Sequence, residues 1–235
     1  MRLGWMVVAA MLVSPEISPA LEIGGHLVAR GWFFGIDGNI EDTDLDALDF
    51  DDHKGQPEIG GGLRLGRRHH LDLAWLIVRR DEEGTAQAEV LGVIPIQDRV
   101  AIDLEVDYLH GGYGFSLLAN DWIDLRPFIE VAWLREETDI RNATTGERQH
   151  QEESAVFPLP GARIALAPGF AVHLVARASG MATGRGHLID VEGGVETGWR
   201  WFFGGVGWRY VDVEIDDDTA DLTADGFYLR GGARF

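Results

Sequence analysis

Beyond residue 20 the chain alternates apolar and polar positions with a period of two, the mark of strands with one wet and one dry face. In Leu21 to Asp37, Ile23, Leu27, Ala29 and Phe33 oppose Glu22, His26, Arg30, Trp32 and Phe34. Then Pro57, Ile59, Gly61, Leu63 and Leu65 oppose Glu58, Gly60, Gly62 and Arg64. After the turn Arg67 to His70, Leu71, Leu73, Trp75 and Ile77 share a face. Leu125, Pro127, Ile129, Val131 and Trp133 oppose Arg126, Phe128, Glu130 and Ala132. Ala162, Ile164 and Leu166 oppose Arg163, and Phe170, Val172, Leu174 and Ala176 oppose His173 and Arg177. Ile189, Val191 and Val195 oppose Asp190, Glu192 and Glu196, while Val206, Trp208 and Tyr210 oppose Arg209. The final stretch sets Phe227, Leu229, Gly231, Ala233 and Phe235 against Tyr228, Arg230, Gly232 and Arg234.

Asp81 to Asp98 is harder to read, because Val90, Val93, Ile94 and Ile96 fit either a loop hairpin or an additional strand pair; it is assigned to an outer loop. From Arg99 to Leu118, Val100, Ile102, Leu104, Val106 and Tyr108 oppose Asp103, Glu105 and Asp107. A charge on the lipid side at mid-bilayer costs about 2–4 kcal/mol for Arg or Lys and less for a carboxylate. The acidic face is therefore expected inside and the apolar face toward lipid. Tyr113, Phe115 and Leu117 have the opposite parity, which predicts a bulge at Gly111-Gly112. Pro158 and Pro160 cannot donate to a ladder. Either the membrane part of that strand starts at Gly161, or the sheet is locally irregular there.

The connections alternate in length. Short turns at Arg67 to His70, Ala167 to Gly169 and Arg200-Trp201 contrast with polar loops at Glu41 to His53, Asp81 to Asp98, Arg141 to Glu153 and Asp216 to Asp221. A short Gly-rich loop runs from Gly180 to Gly186. Short turns on one side and longer loops on the other are the pattern of transmembrane barrels. The expected fold is all-β: a closed antiparallel transmembrane β-barrel of about ten strands, with eight or twelve as alternatives.

The amino terminus supports export. Arg2 precedes an apolar run from Leu3 to Val13, and Ser18 and Ala20 sit where a cleavage site needs small residues, so residues 1–20 read as a signal peptide. Residues 21–235 form a single barrel domain on this reading. No downstream apolar run reaches the ~18 residues of a membrane helix. Without water in hydrocarbon, closed sheets are the alternative to helices.

The terminal stretch Gly226 to Phe235 resembles the last strand of the bacterial outer-membrane β-barrel class, the small porin-like barrels included. The resemblance implies an outer-membrane location. It also implies that the assembly machinery reads the C-terminal Phe235 with the alternating apolar Phe227 and Leu229.

Charge then sharpens the picture. The formal net charge of -19 argues against a nucleic-acid partner, whose phosphates would be repelled. With no cysteine there are no disulfides and no thiolate chemistry. The inward faces carry Glu22, Glu58, Asp72, Asp103, Glu105, Asp107, Glu130, Asp190, Glu192 and Glu196 against Arg30, Arg64, Arg126, Arg163, Arg177, Arg209, Arg230 and Arg234, with His26 and His173. That lumen is nearly balanced, which places most of the negative excess in the loops. A small barrel has room for little more than its own side chains, so a paired, filled core is expected. Its best candidates are Glu192, Arg209 and Arg230 on consecutive strands, with Arg234, Asp190, Glu196 and Arg30 around them.

Candidate chemistry is sparse. Asp42, Asp44 and Asp46 have the spacing of a calcium loop, but Ala47 and His53 occupy positions that such a loop gives to Gly and Glu. A loose divalent-cation site in the acidic loops is the remaining metal reading. His69-His70 beside Asp72 lacks a third ligand that converges on them. Ser116, Ser154 and Ser179 fall in no His-x-Ser arrangement, so no catalytic residue or cofactor is expected. The expected role is a structural envelope component or narrow porin-like channel, with outer-membrane lipid and the assembly machinery as partners. Two other classes are an outer-membrane enzyme acting on lipid or peptide, and a secreted lipocalin-like barrel whose apolar face points inward around a ligand.

Overall fold

In the computed structural model, the described residues are 23–40, 43–44, 54–85, 99–183, 186–215 and 220–235. The strands are β1 (Ile23–Ile40), β2 (Thr43–Asp44), β3 (Lys54–Leu65), β4 (His69–Thr85), β5 (Arg99–Phe115), β6 (Leu118–Ala119), β7 (Ile123–Asn142), β8 (Arg148–Leu166), β9 (Val172–Thr183), β10 (Gly186–Trp199), β11 (Phe202–Ile215) and β12 (Ala220–Arg234). The two-residue β2 and β6 are appendages on β1 and β7. The other ten form one antiparallel sheet of sequential neighbours, which β12 closes onto β1 from His26↔Arg234 to Ile40↔Ala220. The cleavage region and most of the acidic loops expected above lie outside the described residues.

The outer surface carries one apolar band. Leu27, Ile59, Leu73, Ile129, Val131, Leu174, Val206 and Leu229 all point outward and are exposed. Aromatic side chains border it on both sides. Trp122, Trp199, Trp201, Phe202 and Phe235 lie at the short turns; Trp75, Trp133, Trp208, Tyr210 and Phe227 lie toward the long loops. Phe33 stacks on Phe227 at that upper border, with ring centroids 4.9 Å apart. At about 3.3 Å per residue and a tilt of about 40°, the stretch from Ile123 to Trp133 rises about 25 Å, the height of a lipid-facing band.

Above the upper border the two faces exchange character. On β5 the odd positions face outward throughout: Leu109, Tyr113 and Phe115 in the band, then Asp107, Glu105 and Asp103 above it. Ile102, Leu104 and Tyr108 are buried inside. The expected orientation of Asp103, Glu105 and Asp107 is thus reversed, and the bulge at Gly111-Gly112 is absent, because pairing with β4 and β7 runs through it unbroken. The cost that set the expectation applies only in hydrocarbon, and this half of β5 stands in water. Trp75 marks the changeover, its indole Nε1 donating to Asp107 Oδ1 over 3.0 Å. β7 repeats the scheme, with Arg135, Glu137 and Asp139 outside and Leu134 and Ile140 inside.

The protruding wall consists of β4, β5, β7 and β8, which are longer than β3 and β9. Asp81 to Thr85 and Arg148 to Glu153, expected as loop, are therefore strand. Asn142 closes the β7–β8 hairpin, its Oδ1 accepting from the backbone N–H groups of Thr144 and Thr145. The prolines mark where the wall parts from its neighbour. β8 pairs with β7 through Pro158↔Val131 and Pro160↔Ile129, whereas its pairing with β9 runs only from Leu166↔Leu174 to Gly161↔Ser179. The irregular alternative is the one realised: the ladder splits on the β9 side at the first residue that lacks an N–H. On the other flank β3 and β4 part above Glu58. There the Gln56 side chain replaces the ladder, bonding both Arg79 N and Arg79 O.

Leu73→Arg, in the band, should destabilise the barrel by about 2–4 kcal/mol in lipid vesicles. Asp103→Arg, on the outer face of the wall opposite Asp81 and Asp139, should change stability by less than about 0.5 kcal/mol or raise it slightly. Denaturant titrations read both; equal losses would contradict the exchange of faces.

Candidate functional site

The interior divides into three levels, each set by which inward residues the register brings abreast. Highest is a dry plug between the protruding wall and the rest of the barrel. Trp32, Phe34 and Ile36 from β1 pack with Leu76, Val78, Ile102, Leu104, Leu134, Ile140, Phe157, Leu159, Leu188 and Val213. Arg80 is buried among them, donating to Phe34 O over 2.5 Å.

Beneath the plug lies a layer of ions. Arg209 is 1% exposed and donates through Nε and Nη2 to both oxygens of Asp190, at 3.0 and 2.9 Å. Its Nη1 reaches across the lumen to Glu58 Oε2 at 2.5 Å. Arg30 bridges Glu58 (3.3 Å) and Glu192 (2.9 Å). Arg177 bridges Asp190 (2.9 Å) and Glu130, and His110 stands 3.3 Å from Glu130. These groups come from β1, β3, β5, β7, β9, β10 and β11, so the layer ties the wall together across its diameter. Aromatic faces cover it, with Arg209 4.8 Å from the centroid of Trp32 and 5.8 Å from that of Tyr108, and Arg30 4.5 Å from that of Tyr228. Tyr228 fits because the wall beside it is bare: a Cβ on Gly207 would lie 2.5 Å from its hydroxyl oxygen, and one on Gly194 2.7 Å.

Lowest is a vestibule of about 440 Å³ at the end of the short turns. Arg64, Asp72, Arg126, Arg163, Glu196 and Arg234 line its sides, and the ion layer forms its ceiling. Glu196 gathers Arg163 (3.5 Å), His173 (3.5 Å), Arg230 and Arg234 (3.8 Å). Arg126 lies 3.5 Å from Asp72 and 3.4 Å from Asp124.

The residues singled out from the sequence are therefore distributed over two levels. Arg30, Asp190, Glu192 and Arg209 share the ion layer, whereas Glu196, Arg230 and Arg234 belong to the vestibule. Glu192 sits opposite Arg209 in register, yet its ion pair is with Arg30, because Arg209 reaches past it to Asp190 and Glu58. Trp32, Tyr108, Tyr228 and His110 were not foreseen as part of this closure; the paired glycines opposite Tyr228 were the available signal. Phe227 and Leu229 point outward, and the Phe235 backbone pairs with Gly25.

Metal and nucleophile candidates fare differently. Asp42 and Asp46 lie outside the described residues, and Asp44 lies in β2 with its backbone paired to Asn39. On the outer face of the wall, Glu137, Asp139 and His150 bring one ligand-type atom each within 4.8 Å of the others. At the turn end, Ser116 meets His70 Nε2 at 3.1 Å, a pairing the spacing concealed, and donates to Asp124 Oδ1 at 2.9 Å. A nucleophilic serine would give its proton to the histidine and would be open to substrate. Ser116 gives it to the carboxylate and is 1% exposed, so the trio works as a staple between β4 and the β6 turn.

Two solved structures share this architecture. The outer-membrane protease OmpT from Escherichia coli is 10% identical, with 92% of this chain and 93% of that chain covered at a TM-score of 0.50. The translocator domain of the autotransporter NalP from Neisseria meningitidis is 10% identical, covering 97% of this chain and 92% of that one, also at 0.50. The fold is that of an outer-membrane β-barrel. Ail, the attachment invasion locus protein of Yersinia pestis, aligns at 9% identity over 92% of this chain and 100% of that one, with a TM-score of 0.45. No protein-family model and no curated protein matches the chain in sequence. The likeness is thus one of fold.

Two measurements test the interior. Asp190→Ala takes from Arg209 and Arg177 the buried carboxylate they share, leaving each with one partner, Glu58 and Glu130, and should cost about 3–5 kcal/mol, or stop the barrel from folding. Arg234→Gln, at the half-exposed mouth, should cost under about 1 kcal/mol.

Within the protruding wall, Glu136 is buried and faces Glu153 across the β7–β8 pair. Burial raises its pKa above the ordinary glutamate value and the Glu153 charge adds to this, while the hydrogen bond from Thr138 Oγ1 opposes it. A carboxyl raised on folding favours the folded state below its unfolded pKa, and that contribution is lost as pH rises through the folded value. Glu136→Gln should therefore be more stable than the parent at neutral pH, with the gap closing as pH falls towards the unfolded glutamate value of about 4 and gone below it; unfolding titrations across pH 3–8 read it.

Proposed function

We propose that this protein is a non-conducting structural barrel of the outer membrane, which anchors a raised β-wall and its acidic loops at the cell surface. One observation carries the reading: the vestibule ends at the ion layer, and beyond that layer the lumen is filled by the apolar plug around Trp32 and Leu159. An ion passing through would have to leave water and displace a well-packed core, at a cost far above thermal energy. A porin-like channel is the weaker alternative for that reason.

On this reading residues 1–20 direct export and are removed, and Phe227, Leu229 and Phe235 engage the assembly machinery before lipid covers them. The apolar band then meets outer-membrane lipid. Divalent cations are the natural counter-ions of the acidic surface above it. A catalytic role is set aside because the carboxylates of the lumen are committed to arginines. The His150–Asp139 pair, at 3.3 Å, lies on the open outer face of the wall. OmpT is a protease, and a likeness of fold alone does not bring that activity to this chain.

Planar-bilayer recording tests the proposal. The parent protein should insert without steady openings, while Trp32→Gly combined with Tyr108→Gly, which removes the cover over Arg209, should give discrete conductance steps. Steady openings from the parent would overturn it.

A further inference from the structure

We propose that the vestibule at the short-turn end is a binding site for a phosphate-type oxyanion, held by Arg163, Arg230, Arg234 and Arg126. The inference depends on the vestibule and not on whether the barrel conducts, so the bilayer recording leaves it standing either way.

The first ground is charge. Three guanidinium groups and the His173 ring converge on the single carboxylate of Glu196. One negative charge cannot neutralise three, and two of these side chains are mostly withdrawn from water, with Arg230 10% and Arg163 25% exposed. The ion layer above offers one carboxylate beyond its own arginines, Glu58, Glu130, Asp190 and Glu192 against Arg30, Arg177 and Arg209, and even with it Arg64, Arg126, Arg163, Arg230 and Arg234 of the vestibule outnumber the carboxylates, Glu196, Asp72 and Asp124, that remain to them. The surplus is local and stands against the sign of the whole chain, whose formal charge is -19.

Register is the second ground. Arg126 is directly opposite Arg163, and Arg163 is directly opposite Arg177, so three neighbouring strands present arginine in one row of the register, the first two in the vestibule and Arg177 reaching up into the ion layer. Like charges opposite one another destabilise a sheet, and a structural lumen would gain by alternating signs, as the layer above does. A row of guanidinium groups around an open space is instead the arrangement that forks onto tetrahedral oxyanions through paired N–H donors.

Unused donors are the third. Arg126 Nε and Arg230 Nε are buried and have no hydrogen-bond partner among the described residues, and both side chains line the vestibule. Its volume of about 440 Å³ holds a phosphate with water or a small phosphorylated group. The exposed Arg234, at 48%, stands where an anion would enter. Two sources share this chemistry: a phosphorylated solute, or a phosphomonoester headgroup from the lipid leaflet at that end.

The test uses the folded full-length barrel in neutral detergent. Inorganic phosphate should bind saturably by calorimetry at fixed ionic strength, and the dissociation constant should rise about tenfold or more in Arg163→Gln and in Arg234→Gln. Arg234→Gln keeps the test informative should Arg163→Gln fail to fold. In nanodiscs, unchanged phosphate binding after phosphatidic acid is added favours a soluble ligand, and competition by that lipid favours a headgroup; either supports the oxyanion site. Absence of saturable binding to both phosphate and phosphatidic acid would overturn it, as would dissociation constants unchanged in both variants.

Discussion

The bond from Arg209 across the lumen to Glu58, with Asp190 held in both arms of the same guanidinium, is the interaction on which the interior depends. A barrel of this width could leave a water-filled core, and a sheet closed only by its backbone ladder would have no preferred content. Arg209 draws β3, β10 and β11 to a common centre, and Arg30 and Arg177 extend that centre to neighbouring strands. Buried ions of this kind hold together only as a complete set, since each is costly alone. Trp32, Tyr108 and Tyr228 supply the low-dielectric cover that makes the set strong and separates it from the plug above.

The alternation of a β-strand offers two faces, and this barrel uses them in two solvents. Within the bilayer the apolar face turns out to lipid and the polar face turns in. Above it the same strands turn their charges out to water and their apolar residues in to a core, as a soluble barrel does. The exchange needs no bulge or change of register; it needs only that Asp107 follow Leu109 on the outer face of β5 while Tyr108 replaces a charge on the inner one. The lipocalin-like arrangement and the membrane arrangement are therefore stacked in one chain, each where its solvent requires it.

The three interior levels differ in what they leave unsatisfied. The plug is filled by apolar packing, and in the ion layer every arginine bridges two carboxylates. The vestibule retains cations and donors beyond what Glu196, Asp72 and Asp124 can match, and it borders water. A closed upper lumen and an open, cationic lower one make this barrel asymmetric along its axis, with different chemistry facing each side of the membrane.

Much of this was determined by the sequence alone. Period two in Leu71 to Ile77, Ile189 to Glu196 and Phe227 to Phe235 leaves little choice of face. The terminal Phe235 strand and the contrast of short turns with long loops point to a closed membrane barrel of about ten strands. The choice of inward arginines followed from the same parity. Tertiary structure decided what parity cannot express, namely height. Whether Asp103, Glu105 and Asp107 point in or out depends on where the lipid boundary crosses β5, and that is set by the pairing of β5 with β4 and β7, not by β5 itself. Whether Pro158 and Pro160 are tolerated depends on where β9, which runs on to Thr183, stops pairing with β8. Which carboxylate each arginine meets depends on diagonal reach across a closed lumen, which is why Glu192 found Arg30 and Arg209 found Glu58, 151 residues away in the chain.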